Sequence, residues 1–219
     1  MTAYFGFMPS ETLKNNIEMA LNKTSGGAIY IIRDKISLGI TDELIDAALT
    51  KLAQELPPSD KKDTMEKLSH FIRSTMQPLM KQLLSKDTDD NILKSLNFLL
   101  FSTHHKGGQL KVGCVMPDTL TDRLKVLFAQ AQTGSNADSI RQELMTLQKQ
   151  MADLCIKHFV TDYCETLDLG FLKRNAMSLA NSATIKAIHF AINKLVPSLN
   201  PEELVTFAKH YDSLMYFAD

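Results

Sequence analysis

The sequence lacks the features by which several large classes of protein are recognised. It has no tryptophan, and only nine glycines and seven prolines among its 219 residues. No apolar run approaches the roughly 18 residues that a membrane-spanning helix needs, and the N-terminal residues have neither the basic stretch nor the apolar stretch of a signal peptide. These absences favour a globular chain that neither crosses nor binds a membrane. A hydrophobic content of 44% and a charged content of 22% are ordinary for such a chain.

Neither sign of charge dominates the chain. The 24 basic residues face 25 acidic residues, which leaves a formal net charge of -1. Such a balance creates no overall field that would attract nucleic acid or an anionic membrane. Few of the cations are arginine, which binds phosphate in a bidentate manner better than lysine does. We therefore expect no nucleic-acid partner.

Cysteine is scarce, and its spacing is not that of a disulfide framework. The three residues are Cys114, Cys155 and Cys164, an odd number. Cys155 and Cys164 are nine positions apart in a predicted helix, which places them on opposite faces and prevents a bond between them. Cys114 lies in a segment without a helical pattern, where it is a candidate reactive thiol, although no activating base can be assigned. Free thiols predict a reducing compartment and a cytoplasmic location.

The sequence also lacks the motifs of the most recognisable enzymes. It contains no GxxxxGK[ST] phosphate loop, no GxGxxG, no GxSxG nucleophile elbow, no HExxH and no CxxC pair. Their absence removes those families without excluding every enzyme. We expect a non-catalytic protein that requires no cofactor.

The sequence does contain the apolar periodicity of amphipathic helices. The longest helical pattern covers residues 135–168, a stretch without proline or glycine. Its apolar residues recur in steps of four and three, which places them along one side of a helix: Ile140, Leu144, Leu147, Met151 and Leu154. Similar patterns occupy most of the remaining chain. We predict an all-α fold, an irregular bundle of about seven to nine helices arranged around this long helix.

The predicted helices form one domain, residues 1–219. A subdivision into 1–108 and 117–219 is possible, because 109–117 has no helical pattern and is either a β-like excursion or a loop. A helix from Phe171 to Val196 follows the long helix after a short link, so the two are predicted to be antiparallel neighbours. Alanines recur along it in steps that permit a close approach to the long helix or to a second copy of the protein: Ala176, Ala180, Ala183, Ala187 and Ala191.

The pattern is least clear near the N-terminus. Residues 27–38 fit either a helix or a short buried strand, and we favour a helix because the neighbouring segments are helical. Gly39 is then predicted to end this helix, with a separate one beginning at Thr41. Pro78 lies within another apolar pattern, where it predicts a kink or a break.

One side of the long helix carries a possible metal site. His158, Asp162 and Glu165 follow Cys155 at α-helical spacing, and imidazole and carboxylate groups are ligands for transition metals. A helical metal site of this type requires matching ligands from a facing helix, and the sequence provides no paired Glu-x-x-His motif. We favour the alternative that His158 bonds to a neighbouring helix while Asp162 and Glu165 face water.

Three hypotheses for function follow. The first is an interaction or regulatory protein that acts through protein contacts, most simply as a homodimer. The second is a bundle that binds a small apolar ligand between the long helix and the helix beginning near Ile92, in a pocket lined by methionines, Phe98 and Phe101. The third is a metal-dependent enzyme that uses the His158, Asp162 and Glu165 side of the long helix. We favour the first.

Overall fold

The chain is predominantly helical, as the sequence predicts. The structure, a computed structural model, describes residues 2–22, 29–84, 88–133 and 137–218. Helices account for 78% of it, with a small four-stranded sheet beside them. None of the helices within the described ranges combines the length and the hydropathy needed to cross a bilayer.

The helices follow one another with short connections. In chain order the helical elements are α1 (Glu11–Asn22), α2 (Ile29–Ile45), a first π segment (Asp46–Thr50), α3 (Lys51–Glu55), α4 (Asp60–Leu83), α5 (Asp89–Phe101), α6 (Asp118–Gln132), α7 (Ala137–Ile156), a second π segment (Lys157–Asp162), α8 (Tyr163–Glu165), α9 (Phe171–Ser198) and α10 (Pro201–Ser213). A π segment is a stretch in which the backbone hydrogen bonds span one residue more than in an α-helix.

The predicted long helix is confirmed as the central element. α7 continues without a break through the second π segment into α8, so the helical path covers 137–165, close to the predicted 135–168. Residues 134–136 lie outside the described part of the chain. α7 packs against α6, α9 and the sheet, because its apolar side, which includes Leu144 and Met151, is buried.

A small antiparallel sheet, which the helical patterns do not predict, joins the two ends of the chain. Its strands are β1 (Ala3–Phe7), β2 (Thr103–Lys106), β3 (Gln109–Met116) and β4 (Met215–Phe217), in the order β2-β3-β1-β4. Residues 109–117, predicted as either a β-like excursion or a loop, thus contain β3. Its buried residues Val112, Cys114 and Met116 alternate as a half-buried strand requires. Gly107 and Gly108 make the hairpin turn with positive φ angles of 56° and 75°.

The ambiguous N-terminal segment is helical, and one predicted boundary within it is wrong. α2 begins at Ile29, whereas residues 27 and 28 lie outside the described part of the chain. Gly39 does not end this helix. A Cβ atom at Gly39 would lie 3.1 Å from Leu13 Cδ1, so glycine here lets α1 approach closely. Burial of Ile36 and Ile40 on either side outweighs the cost of about 1 kcal/mol for a helical glycine.

Pro78 does not break its helix either. α4 is continuous from Asp60 to Leu83 with Pro78 inside it. Met76, Leu79 and Met80 beside the proline are buried in the core, and this packing holds the helix together although one backbone hydrogen bond is lost. Proline disfavours a helix locally, but the free energy gained by burying its neighbours is larger than this local cost.

Candidate functional site

The histidine of the predicted metal site lies in the second π segment. His158 Nε2 is 2.8 Å from Ser102 Oγ, and its ring centroid is 5.0 Å from that of Phe98. Burial lowers the pKa of His158, although the nearby Asp162 carboxylate acts in the opposite direction. The imidazole is therefore neutral near pH 7 and is held by a neighbouring element.

The two carboxylates make other contacts. Lys157 Nζ donates to both carboxylate oxygens of Asp162, at 2.7 and 2.8 Å, while Glu165 is exposed. The hydrogen bonds of a π segment join residues five apart, and Lys157 and Asp162, which are five apart, meet in this way. Among the described residues, no group of three or more His, Cys, Asp or Glu side chains could hold a metal ion. The metal site remains a prediction that no observed contact supports.

The three cysteines are buried and free. Cys114 lies in β3 rather than in a loop, and its Sγ is 3.6 Å from Cys155 Sγ on α7. The hydrogen bond with Cys114, followed by burial, raises the pKa of the Cys155 thiol. Burial raises the pKa of Cys164 from its ordinary value of 9.0 to about 12. The prediction of a reactive Cys114 is therefore not supported, because burial keeps this thiol away from reagents.

We expect the folded protein to resist thiol reagents. Raising the pKa of Cys164 from 9.0 to about 12 lowers its thiolate fraction on the order of a thousandfold near neutral pH, and burial blocks access to all three thiols. At pH 8 the native protein should release little chromophore from an aromatic disulfide reagent, whereas protein in guanidinium should release three equivalents at once. Rapid labelling of the native protein would contradict this buried arrangement.

The helix α9 carries apolar residues on its inner and its outer face. Ala191, Leu195 and Val196 are buried against the core on the inner face, where α9 packs on α4 and α7. On the opposite face Leu172, Leu179 and Phe190 are 81%, 74% and 68% exposed. A helix that is apolar all round is normally buried all round, so the outer face is unusual.

The predicted alanine stripe divides between these two faces. Ala180 and Ala187 are half-buried and pack on the core, as does the buried Ala191. Ala176 and Ala183 are exposed. Small residues therefore serve the close approach of α9 to its neighbours within the chain, and two of them remain on the outer face.

The outer face of α9 has a heptad spacing. Its residues follow in steps of four, three, four, three and four, as in the seam of a coiled coil, and we call this set the outer seam: Leu172, Ala176, Leu179, Ala183, Lys186 and Phe190. Five of its six members are apolar. Each of them is exposed.

A cavity of about 130 Å³ lies inside the bundle. Its walls come from β1, α2, the first π segment, α4, α7, the second π segment, α9 and α10, and we call it the bundle cavity. Three methionines, Met65, Met76 and Met151, contribute to a lining that is almost wholly apolar. The sequence suggested methionines around a pocket, but it placed that pocket beside α5. In the structure Phe98 packs on His158 and Phe101 is 83% exposed, so neither lines the cavity.

Both π segments form part of the cavity wall. Ala48 and Leu49 of the first segment and Phe159 and Val160 of the second line it. Two hydrogen bonds hold the first segment to α10, since Tyr211 OH donates to the Ala48 carbonyl over 3.1 Å and His210 Nε2 lies 2.9 Å from the Ala47 carbonyl. Insertions of this kind often accompany functional sites, because they widen a helix locally.

A buried amide is the main polar feature of the cavity wall. Gln148 of α7 is only 2% exposed and lines the cavity. Its Oε1 has no hydrogen-bond partner among the residues that the structure describes. Thr184 of α9, which is 3% exposed, also lines the cavity and donates only to a weak acceptor, Met76 Sδ, at 3.7 Å. No sequence pattern singles out Gln148, because one polar residue beside an apolar helical stripe is common.

No protein-family model, curated protein or solved structure matches the chain. A function must therefore be inferred from the chain's own residues. Two features suggest one: the outer seam can bind another helix, and the bundle cavity can bind a small molecule.

Proposed function

We propose that the protein is a non-catalytic helical module that acts through protein contacts and self-associates through the outer seam of α9. The observation that supports this is the exposure of Leu172, Leu179 and Phe190, at 81%, 74% and 68%, on a heptad spacing. Water disfavours three large apolar side chains in a row, and a second helix would cover them in the way that coiled-coil seams cover each other.

The residues of the seam favour an antiparallel pair of α9 helices. In that orientation, with the two-fold axis beside residue 181, Leu172 faces Phe190 and Leu179 faces Ala183 of the second copy. Lys186 then lies opposite Ala176. A parallel pair would place Lys186 against its own copy, and two like charges in a seam repel each other.

An antiparallel contact between two α9 helices is isologous, so it closes as a dimer and does not extend into a fibre.

The remaining parts of the proposal are the location and the absence of catalysis. Three buried free thiols support a reducing compartment, and we place the protein in the cytoplasm. A metal-dependent enzyme is the weaker proposal, because His158 and Asp162 bond to Ser102 and Lys157 respectively.

Leu179→Asp is expected to convert a dimer into a monomer. The change places a carboxylate in the middle of the seam, and its burial should weaken the dimer by at least about 100-fold, equivalent to about 3 kcal/mol. Native mass spectrometry and sedimentation velocity would measure the change. Because Leu179 is 74% exposed in the monomer, the variant should keep its helical circular dichroism.

The matched control is Val126→Asp, which introduces the same charge at another exposed apolar residue. Val126 lies on α6 and is 49% exposed, outside the seam, so this variant should remain dimeric. A parent protein that is monomeric at micromolar concentration would refute self-association. A dimer that Leu179→Asp leaves intact would show that another surface is used.

Cysteine pairs test the antiparallel orientation. Ala176→Cys combined with Lys186→Cys should form a disulfide-linked dimer under mild oxidation, because these positions face each other only in the antiparallel pair. Ala176→Cys alone should not crosslink, since its two copies would lie ten residues apart, about 15 Å along the helix. The native cysteines are buried and do not interfere. Crosslinking of Ala176→Cys alone would establish a parallel dimer, in which each position 176 faces its own copy.

A further inference from the structure

We infer that the bundle cavity is a binding site for a small, uncharged, apolar molecule that carries one hydrogen-bond donor, with Gln148 Oε1 as the acceptor. The molecules of this class that suit the cavity are phenol-sized aromatic alcohols and similar compounds. This site is independent of the outer seam and goes beyond the proposed self-association.

The size of the cavity sets the size of the ligand. An apolar cavity of about 150 Å³ remains dry and accepts a benzene ring, and the bundle cavity, at about 130 Å³, is of similar size. Single-ring molecules therefore match the volume of the cavity. The lining contains no Asp, Glu, Lys, Arg or His among the described residues, which excludes a charged ligand because nothing would compensate for the loss of its hydration.

The unpartnered amide oxygen determines the polar part of the ligand. A buried acceptor without a partner destabilises the protein by about 1–3 kcal/mol, so an apolar residue in place of Gln148 would make a more stable empty cavity. Gln148 Oε1 has no partner among the described residues, and a ligand hydroxyl or N–H group would provide one. Gln148 thus has the features of a recognition residue, and its position on α7 is rigid because Leu144 and Met151 are buried on the same helix.

The two π segments indicate that this cavity is not a simple packing defect. Each departs from the α-helical path at the point where it lines the cavity, through Ala48 and Leu49 on one side and Phe159 and Val160 on the other. Close packing is the norm in protein interiors, so two independent widenings around one space maintain that space. Both are continuous with α-helix at their ends, since their flanking residues Ile45 and Tyr163 keep α-helical backbone angles.

The test uses phenol and toluene, which share a ring and differ in the hydroxyl group. Methyl spectra of methionine-labelled protein report the site directly, because Met65, Met76 and Met151 line the cavity whereas Met8 and Met19 are 57% and 48% exposed elsewhere. Both compounds should shift the three cavity methyl signals in a saturable manner. The signals of Met8 and Met19 should not move.

The decisive comparison is the parent protein against Gln148→Leu. The variant removes the acceptor, so the ratio of the toluene Kd to the phenol Kd should fall by about 3-fold to 10-fold, which is what one neutral hydrogen bond provides. The empty variant should also unfold at a higher temperature than the parent, because it no longer buries an unpartnered oxygen. Ala152→Leu, which narrows the cavity, should weaken the binding of both compounds.

The results that overturn the inference are specific. If neither compound shifts the cavity methyl signals at millimolar concentration while circular dichroism shows a folded protein, the cavity is not a ligand site. If both compounds bind and the ratio is unchanged in Gln148→Leu, the proposed role of Gln148 is wrong. Sedimentation velocity on the same samples measures self-association independently of ligand binding, because Leu179 and the rest of the outer seam do not line the cavity.

Discussion

Gly6→Ala is expected to destabilise the protein by at least about 3 kcal/mol, the upper end of what overpacking usually costs. Gly6 of β1 lies directly opposite Gly113 of β3 in the antiparallel register. A Cβ atom on Gly6 would lie 2.0 Å from the Val112 carbonyl oxygen and 2.5 Å from Gly113 Cα. Both obstacles are backbone atoms, which cannot rotate away, so the two strands would have to separate.

The loss should extend beyond the local contact. β1 is the strand that joins β3 to β4, and its residues Phe5 and Phe7 are buried in the core. Moving β1 therefore exposes aromatic surface and loosens the C-terminal strand. For a chain of this size, about 3 kcal/mol corresponds to a fall of roughly 6–12 °C in the unfolding midpoint. Thermal and urea unfolding, followed by circular dichroism, would measure it.

Gly170→Ala is the matched control for this substitution. Gly170 precedes α9 with a φ angle of -64°, which alanine adopts readily, and nothing lies within 4 Å of the position that a Cβ atom would take. Its cost should stay at about 1 kcal/mol or below, the usual cost of alanine at a helix N-cap. Equal midpoints for Gly6→Ala and Gly170→Ala would show that β1 and β3 do not pair in this register.

Arg33→Met is expected to cost about 3 kcal/mol, the lower end of the cost of removing one partner from a buried ion pair. Arg33 is a fully buried side chain, 1% exposed. Its Nε lies 2.6 Å from Asp34 Oδ1, and its Nη1 donates to Ser95 Oγ over 3.3 Å. Methionine retains much of the apolar stem but leaves the carboxylate of Asp34 without its cation. Asp34 is 28% exposed, so water relieves part of the loss and the effect stays at that lower end.

The cost of Arg33→Met should be smaller at pH 4 than at pH 7. Burial already raises the pKa of Asp34, against the lowering effect of Arg33, and removing Arg33 raises it further. A carboxyl group with a raised pKa binds more protons in the folded state than in the unfolded state, so the stability of the fold falls as the pH rises through that range. At low pH Asp34 is protonated in both states, and its missing partner matters less.

Two further variants separate charge from packing at this site. Arg33→Lys keeps the charge but loses the planar guanidinium group, so we expect a loss of stability between those of the parent and Arg33→Met. Arg33→Met combined with Asp34→Asn should recover part of the stability, because the unpaired carboxylate is removed together with its partner. A pH-independent cost that the double variant does not reduce would show that Arg33 acts only by filling space.

The sequence predicts the helices well because their signals are local. Ser59 accepts a hydrogen bond from the Lys62 amide at the start of α4, and Asn200 and Glu203 form a reciprocal capping box at the start of α10, so each cap involves residues only three positions apart. The signal for the long helix is also local, since its apolar residues repeat within a few turns. Only packing could show that Gly39 and Pro78 are tolerated inside helices, because the burial that compensates for them comes from residues distant in the sequence.

The sheet and the two proposed sites are decided by tertiary structure. β1 and β4 come from opposite ends of the chain and meet only in the fold, so no local pattern reveals that they pair. The same holds for Gln148, whose amide is isolated only once α4, α9 and the π segments surround it, and for Leu179, which a heptad pattern alone would place in the core. Local sequence patterns specify a predominantly helical chain with a long central helix, because helical periodicity and capping act over a few residues. Which faces are buried, where the cavity lies and which helix has an uncovered apolar side were decided by the tertiary structure, because burial depends on the whole chain.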